Sequence, residues 1–146
     1  MKMRFEQKTL FCLPWTQTIL GTHLNGKANF MALDWLTRVN VNPAMLGICV
    51  NKHHASHEAI VQTGEYSVNV PSTAMMDTTE YTGLVSAKRM DKSELFSIFY
   101  GELPAAPMIA DCPITIECKV YQAVDLPTHT LFIAEMVNIY SEERFM

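Results

Sequence analysis

The sequence predicts an all-β protein, a small barrel of six or more strands carrying two short helices. Two observations lead there. Asn25-Gly26 separates two runs rich in strand formers, Thr16–Leu24 and Lys27–Asn40, and an Asn-Gly pair supplies the positive φ that both central residues of a type I′ hairpin turn require. The chain also closes on two long β-type runs, Ile114–Tyr121 and Leu131–Tyr140; in the first, Ile114, Ile116, Cys118 and Val120 alternate with Thr115, Glu117, Lys119 and Tyr121. A third observation concerns what covers the barrel. From Phe30 to Leu36 both parities are apolar, with Phe30, Ala32 and Leu36 on one and Met31, Leu33 and Trp35 on the other. A half-buried strand alternates with polar residues, so one face is expected to meet the domain's own core. The other is expected to meet a partner chain, a flat ligand, or both.

In chain order, residues 1–13 form a lead-in ending at Pro14-Trp15, either an edge strand or an arm. The hairpin follows, and after Pro43 a third strand, Met45–Val50. Asn51–Ala55 is a polar linker, after which Ser56 is expected to cap a helix from His57 to Thr63, with Glu58 suited to its first turn and Gly64 at C′. Tyr66–Val70 alternates with period 2 and stops at Pro71. Thr73–Tyr81 predicts a modest helix ending at Gly83, weakened by its three Thr residues. Val85–Lys92 turns polar and predicts a surface loop, Leu95–Gly101 predicts a strand, and Pro104 and Pro107 frame an extended connector. Asp125–His129 joins the two closing strands.

Length and composition narrow the function classes. At 146 residues one domain spanning the whole chain is expected. A net charge of −4 argues against nucleic acid as a partner, since no general basic surface exists. Charged residues make up 18 % and apolar ones 49 %, including ten Met, which fits a chain that hides surface in an oligomer. Met1–Lys8 lacks the apolar stretch of a secretory signal, and no run approaches the ~20 apolar residues of a membrane span. Cys12, Cys49, Cys112 and Cys118 are too sparse for a disulfide scaffold. Reduced thiols in a cytoplasmic protein are expected.

Chemistry-bearing residues gather before the first helix. Lys52, His53, His54, Ser56 and His57 approach a predicted helix N-terminus, where backbone N–H groups and the helix dipole favour an anion. They read equally as a solvated loop with a simple N-cap. A metal site from His53, His54 and His57 with Cys49 or Glu58 is a rival, yet no second ligand cluster has zinc spacing. Cys112 and Cys118 have neither redox nor zinc-knuckle spacing, and Cys118 at an alternating position reads as a small core residue. His129 precedes a strong strand, as a polar turn residue or as a titrating group that orients a substrate. Neither a Gly-x-Gly-x-x-Gly after a strand nor a Gly-x-Ser-x-Gly elbow is present.

One colinear series of residues resembles a known family: Asn25-Gly-Lys-Ala-Asn-Phe-Met-Ala-Leu-Asp-Trp35, Pro43, Asn51-Lys52, Ser56-His57, Ile60, Thr63-Gly-Glu-Tyr-Ser-Val-Asn-Val-Pro71, Tyr81-Thr-Gly83, Asp91-Lys92, Ala106-Pro107, Glu117-Cys118 and His129 to Glu135. The series is similar to the flavin reductase-like proteins with an FMN-binding split barrel, flavoredoxin-type members among them, over about residues 14–138. That resemblance implies a homodimeric, six-stranded antiparallel Greek-key split β-barrel with FMN near the subunit interface. It implies that Asn29, Met31, Ala32, Leu33, Asp34 and Trp35 run along the flavin, and that Lys52, His53, His54, Ser56 and His57 hold its phosphate. This chain departs from the family pattern at His54 and Ser56, where relatives often carry Arg and Thr, and at Ala87, where they often carry Gly. Relatives also continue beyond the position of Met146, so a C-terminal segment of theirs is expected to be lacking here.

In such a protein the chemistry belongs to the flavin, and the polypeptide supplies binding, orientation and electrostatics. The resemblance implies electron transfer from NAD(P)H, as an NAD(P)H:FMN oxidoreductase with His129 and Lys92 as candidates to meet the nicotinamide. The alternative is a flavoredoxin-type carrier that docks with a redox partner protein. A plainer reading is a flavin- or haem-binding barrel without turnover. No membrane partner is expected.

Overall fold

The computed structural model describes residues 1–4, 10, 13–14, 16–76 and 96–142. Among them run β1 (Thr18–Leu24), β2 (Lys27–Leu33), β3 (Leu36–Asn40), β4 (Met45–Asn51), α1 (Ala55–Thr63), β5 (Glu65–Val70), α2 (Thr73–Met76), β6 (Ile98–Phe99), β7 (Met108–Ile109), β8 (Ile114–Asp125) and β9 (His129–Ser141). The hairpin forms as the Asn-Gly pair requires, with Asn25 at φ 52° and Gly26 at φ 79°, and β1 pairs with β2 from Leu24↔Lys27 to Thr18↔Leu33.

Seven antiparallel strands form the main sheet in the order β2-β1-β5-β8-β9-β4-β3. Its two ends, β2 and β3, are separated in sequence only by Asp34 and Trp35. A flat sheet of that width would hold its edges ~29 Å apart at ~4.8 Å per strand. The two-residue link spans at most ~11 Å. The sheet therefore curls until its edges meet, a split barrel whose seam is the Asp34-Trp35 link. The expected single arm from Lys27 to Asn40 is broken at this link, which is why seven strands stand where six were expected. Cys49 N–H donates to Trp35 C=O at 3.1 Å and ties the link to β4.

Two cores fill the molecule, and they explain the doubly apolar arm. Leu33 lies in the larger cluster with Leu20, Leu46, Ile48, Val50, Ile60, Tyr66, Val68 and Phe132, and Met31 packs against it. Phe30 faces the other way, into a smaller cluster with Ile19, Ile109 and Cys112, covered by Phe96 and Ile98. The chain thus covers Phe30 and Leu33 itself, while Met31, Ala32 and Leu36 stay half-buried and Trp35 is exposed, which leaves room for the expected partner or ligand along this arm.

Three expectations are corrected. The helix begins at Ala55 with His54 at the N-cap; Ser56 lies inside the first turn and is buried. Its C-terminus follows the sequence, with Gly64 at φ 70° donating its N–H to Ile60 C=O at 2.8 Å. Among the described residues of the strand expected over Leu95–Gly101, only Ile98–Phe99 is strand, paired with β7. Of the helix expected over Thr73–Tyr81, α2 covers Thr73–Met76. Its remainder and the Val85–Lys92 loop lie outside the described residues. His129 opens β9 rather than sitting in the turn before it. Among the described residues no helix is long and apolar enough to cross a membrane.

Candidate functional site

A cavity of about 200 Å³ opens at the seam of the barrel, lined by Met31–Trp35, Cys49, Val50, Asn51, His54 and His129. Three elements converge there for simple reasons. The β2–β3 link leaves strand geometry where the sheet closes, tied to β4 through the Trp35 C=O. The end of β4 brings Cys49 to Asn51 alongside, and β9 contributes His129, which pairs with Asn51.

The walls are of two kinds. Met31, Leu33 and Val50 make an apolar side, and Trp35, 45 % exposed, stacks on the His129 ring with centroids 4.3 Å apart and planes 8° from parallel. The opposite end is polar. His54, at the N-cap of α1, borders the cavity, and no side chain caps that helix start. A chain that turns from β4 into α1 at Asn51 orients this end: Asn51 Oδ1 accepts from His53 N–H at 2.9 Å, and its carbonyl accepts from His54 N–H at 3.1 Å. The positive end of the helix thus borders the cavity through His54, where it favours an anionic group.

The expected residues fall into three groups. Met31, Ala32, Leu33, Asp34, Trp35, His54 and His129 are brought to one cavity. Asn29, Lys52, Ser56 and His57 do not line it, and each has its own partner. Asn29 Nδ2 donates to Ser56 Oγ at 3.1 Å, Lys52 Nζ pairs with Asp125 Oδ1 at 2.5 Å, and His57 Nε2 lies 2.7 Å from Thr130 Oγ1. His53 is exposed. Lys92 lies outside the described residues. Sequence reasoning did not single out Val50 or Asn51 as wall residues, and Cys49 entered only as a metal ligand. Their signal was position, at the end of a strand leading straight into the anion-favouring helix.

Electrostatics favour neutral side chains and a fixed dipole. Burial, then the Lys52 charge, hold the His57 imidazole below its ordinary pKa, against the opposing pull of Asp125. Burial pushes the Cys49 thiol up, so at neutral pH it is a thiol and a poor nucleophile. Among the described residues no three His, Cys, Asp or Glu side chains converge to hold a metal ion. The arrangement suits binding a flat, partly apolar molecule with an anionic tail.

Residues 10–145 match the family model described as "flavin reductase like domain". A crystal structure of flavoredoxin from Methanosarcina acetivorans is 44 % identical, covers 100 % of this chain and 78 % of its own, and superimposes with a TM-score of 0.90. The flavoredoxin of Desulfovibrio vulgaris (Miyazaki F) is 26 % identical, covering 99 % of this chain and 78 % of its own, with a TM-score of 0.83. An FMN reductase (NADH) of Pseudomonas syringae pv. syringae is 27 % identical over 78 % of this chain and 62 % of its own length.

Proposed function

This chain belongs to the flavin reductase-like family, and from that premise we propose that it is an FMN-binding oxidoreductase relaying electrons from NAD(P)H or from a redox protein. The observation that carries this reading is the cavity in which the Met31–Trp35 backbone meets the uncapped start of α1 at His54. The residues fit such a cofactor. Met31, Leu33, Val50 and Trp35 offer apolar and aromatic surface to a flat ring, and Asn51, His54 and the first turn of α1 offer donors to one phosphate, with Lys52 as the neighbouring cation. Among the described residues one helix start, that of α1, borders the cavity, and the sequence has no motif for a pyrophosphate, which supports FMN over FAD.

A bound FMN would supply the hydride and electron chemistry, so the polypeptide needs no nucleophile of its own. The chain's part is to position the ring against Met31–Trp35, hold the phosphate and keep water from the apolar wall. His129, stacked on Trp35 at the cavity, is our candidate to meet a nicotinamide. A second reading, a carrier without substantial NAD(P)H activity, is favoured by the 44 % identity to a flavoredoxin. We take residues 1–146 as one domain, working in the cytoplasm as a homodimer. Cys49, Cys112 and Cys118, all unpaired, suit a reducing compartment.

Purified protein should be yellow and release FMN on denaturation. Anaerobic mixing with NADH or NADPH should bleach the flavin if the chain is a reductase and leave it yellow if it is a carrier. Colourless protein that takes up no added FMN in a fluorescence titration overturns both.

A further inference from the structure

Asp125 is the last residue of β8, and its carboxylate lies 2.5 Å from Lys52 Nζ. The Lys52 side chain is 32 % exposed and that of Asp125 84 %. The backbone joins the same two segments, because Lys52 N–H donates to Thr128 C=O at 3.1 Å in the β8–β9 turn. Lys52 stands two residues before the N-cap of α1, whereas Asp125 is absent from the cavity wall. An acidic residue thus holds a cation that stands two residues before the helix start where an anion would dock.

We propose that Asp125 sets the preference for the phosphorylated flavin by competing with the phosphate for the Lys52 ammonium. This rests on the reading of Lys52 as a phosphate-binding residue. Two anions then share one cation. Whether Lys52 leaves the carboxylate or is shared with it, the Asp125 charge opposes the incoming phosphate. An exposed carboxylate does this weakly and in a way that salt screens. A flavin without phosphate does not sense it, since Asp125 does not border the cavity. Asp125 is a tuning residue that acts through Lys52. It keeps affinity below what the cradle alone would give.

The test compares FMN and riboflavin in fluorescence titrations of the full chain, for the parent, Asp125→Asn, Asp125→Glu and Lys52→Ala. At about 0.01 M salt Asp125→Asn should bind FMN about two- to fivefold more tightly than the parent, with riboflavin unchanged, on the scale of an exposed ion pair. The gain should vanish near 1 M salt, where the screening length is about 3 Å. Asp125→Glu, which keeps the charge, should behave as the parent. Unchanged or weaker FMN binding by Asp125→Asn overturns the proposal, the weaker result meaning that Asp125 holds Lys52 in place for the phosphate. Should Lys52→Ala leave the FMN-to-riboflavin ratio at the parent value, the phosphate reading falls and this proposal with it. A ratio that drops in Lys52→Ala but fails to rise in Asp125→Asn removes the competition alone.

Discussion

Glu117 has no exposed surface, and four donors surround its carboxylate. Asn138 Nδ2 and Tyr140 Oη donate to Oε1 at 2.6 and 3.2 Å, and the backbone N–H groups of Glu102 and Leu103 donate to Oε1 and Oε2 at 3.1 Å each. Burial alone would push its pKa up; the bonds from Asn138, Leu103, Glu102 and Tyr140 outweigh it and hold the group below the usual value. A depressed folded pKa gives stability that is present above the unfolded value, about 4.3, and lost as pH falls through the folded one. Glu117→Gln should lower the urea midpoint at neutral pH, and the gap to the parent should narrow below about pH 4.3. A gap that stays constant with pH would show that ionised Glu117 contributes nothing. Residue identity was legible in the sequence here and at Lys52, but partnership was not. Lys52 read correctly as a cation, yet its partner Asp125 lies far along the chain. Ser56 read as an N-cap because its type and position suit one; the structure instead buries it against Asn29, which supplies a competing donor.

At the scale of elements, β5 shows what period 2 reveals and what it hides. Tyr66 and Val68 enter the main core as the alternation requires. The opposite parity, Glu65, Ser67 and Asn69, does not face open water; it replaces a missing strand for the connector at residues 105–109. Glu65 Oε2 accepts from Ala105 N–H at 2.8 Å, Ser67 Oγ donates to Pro107 C=O, and Asn69 Oδ1 accepts from Ile109 N–H at 3.0 Å. Asn69 Nδ2 also donates to Ile19 C=O at 3.1 Å. The two prolines marked the connector as extended, but nothing local says on which sheet face it lands. Asn69→Ala should cost about 2–4 kcal/mol, because it orphans the buried Ile109 N–H and removes a bond from Ile19. Urea unfolding should show a lower midpoint at unchanged slope. A loss under about 0.5 kcal/mol, within the usual range for surface positions, would mean that the ladder does not hold the connector.

At the scale of the whole molecule, closure of the sheet decides both where the site lies and what remains to be covered. The Asn25-Gly26 turn and the alternation of β8 made a barrel legible; the Asp34-Trp35 seam was not, because an apolar run carries no mark where a strand bends. Since the monomer covers Phe30 and Leu33 itself, the case for assembly moves to what stays exposed. Trp35 is 45 % exposed, Val39 42 %, Val41 90 %, Tyr121 69 % and Ile139 56 %. Val39 lies in β3, an edge of the sheet, while Trp35 and Val41 flank its two ends, Trp35 at the cavity. Large apolar side chains on an edge strand invite a partner. Light scattering at micromolar concentration should therefore give twice the chain mass. Val39→Glu combined with Val41→Glu should shift it toward one chain mass while circular dichroism stays as in the parent, because both side chains reach solvent and support no core. If the β3 edge also helps to close the flavin cavity, that variant should bind FMN and riboflavin more weakly by the same factor, unlike Lys52→Ala, which should spare riboflavin. Parent protein of one chain mass with flavin bound would overturn the dimer, and the cavity would then be complete within a single chain.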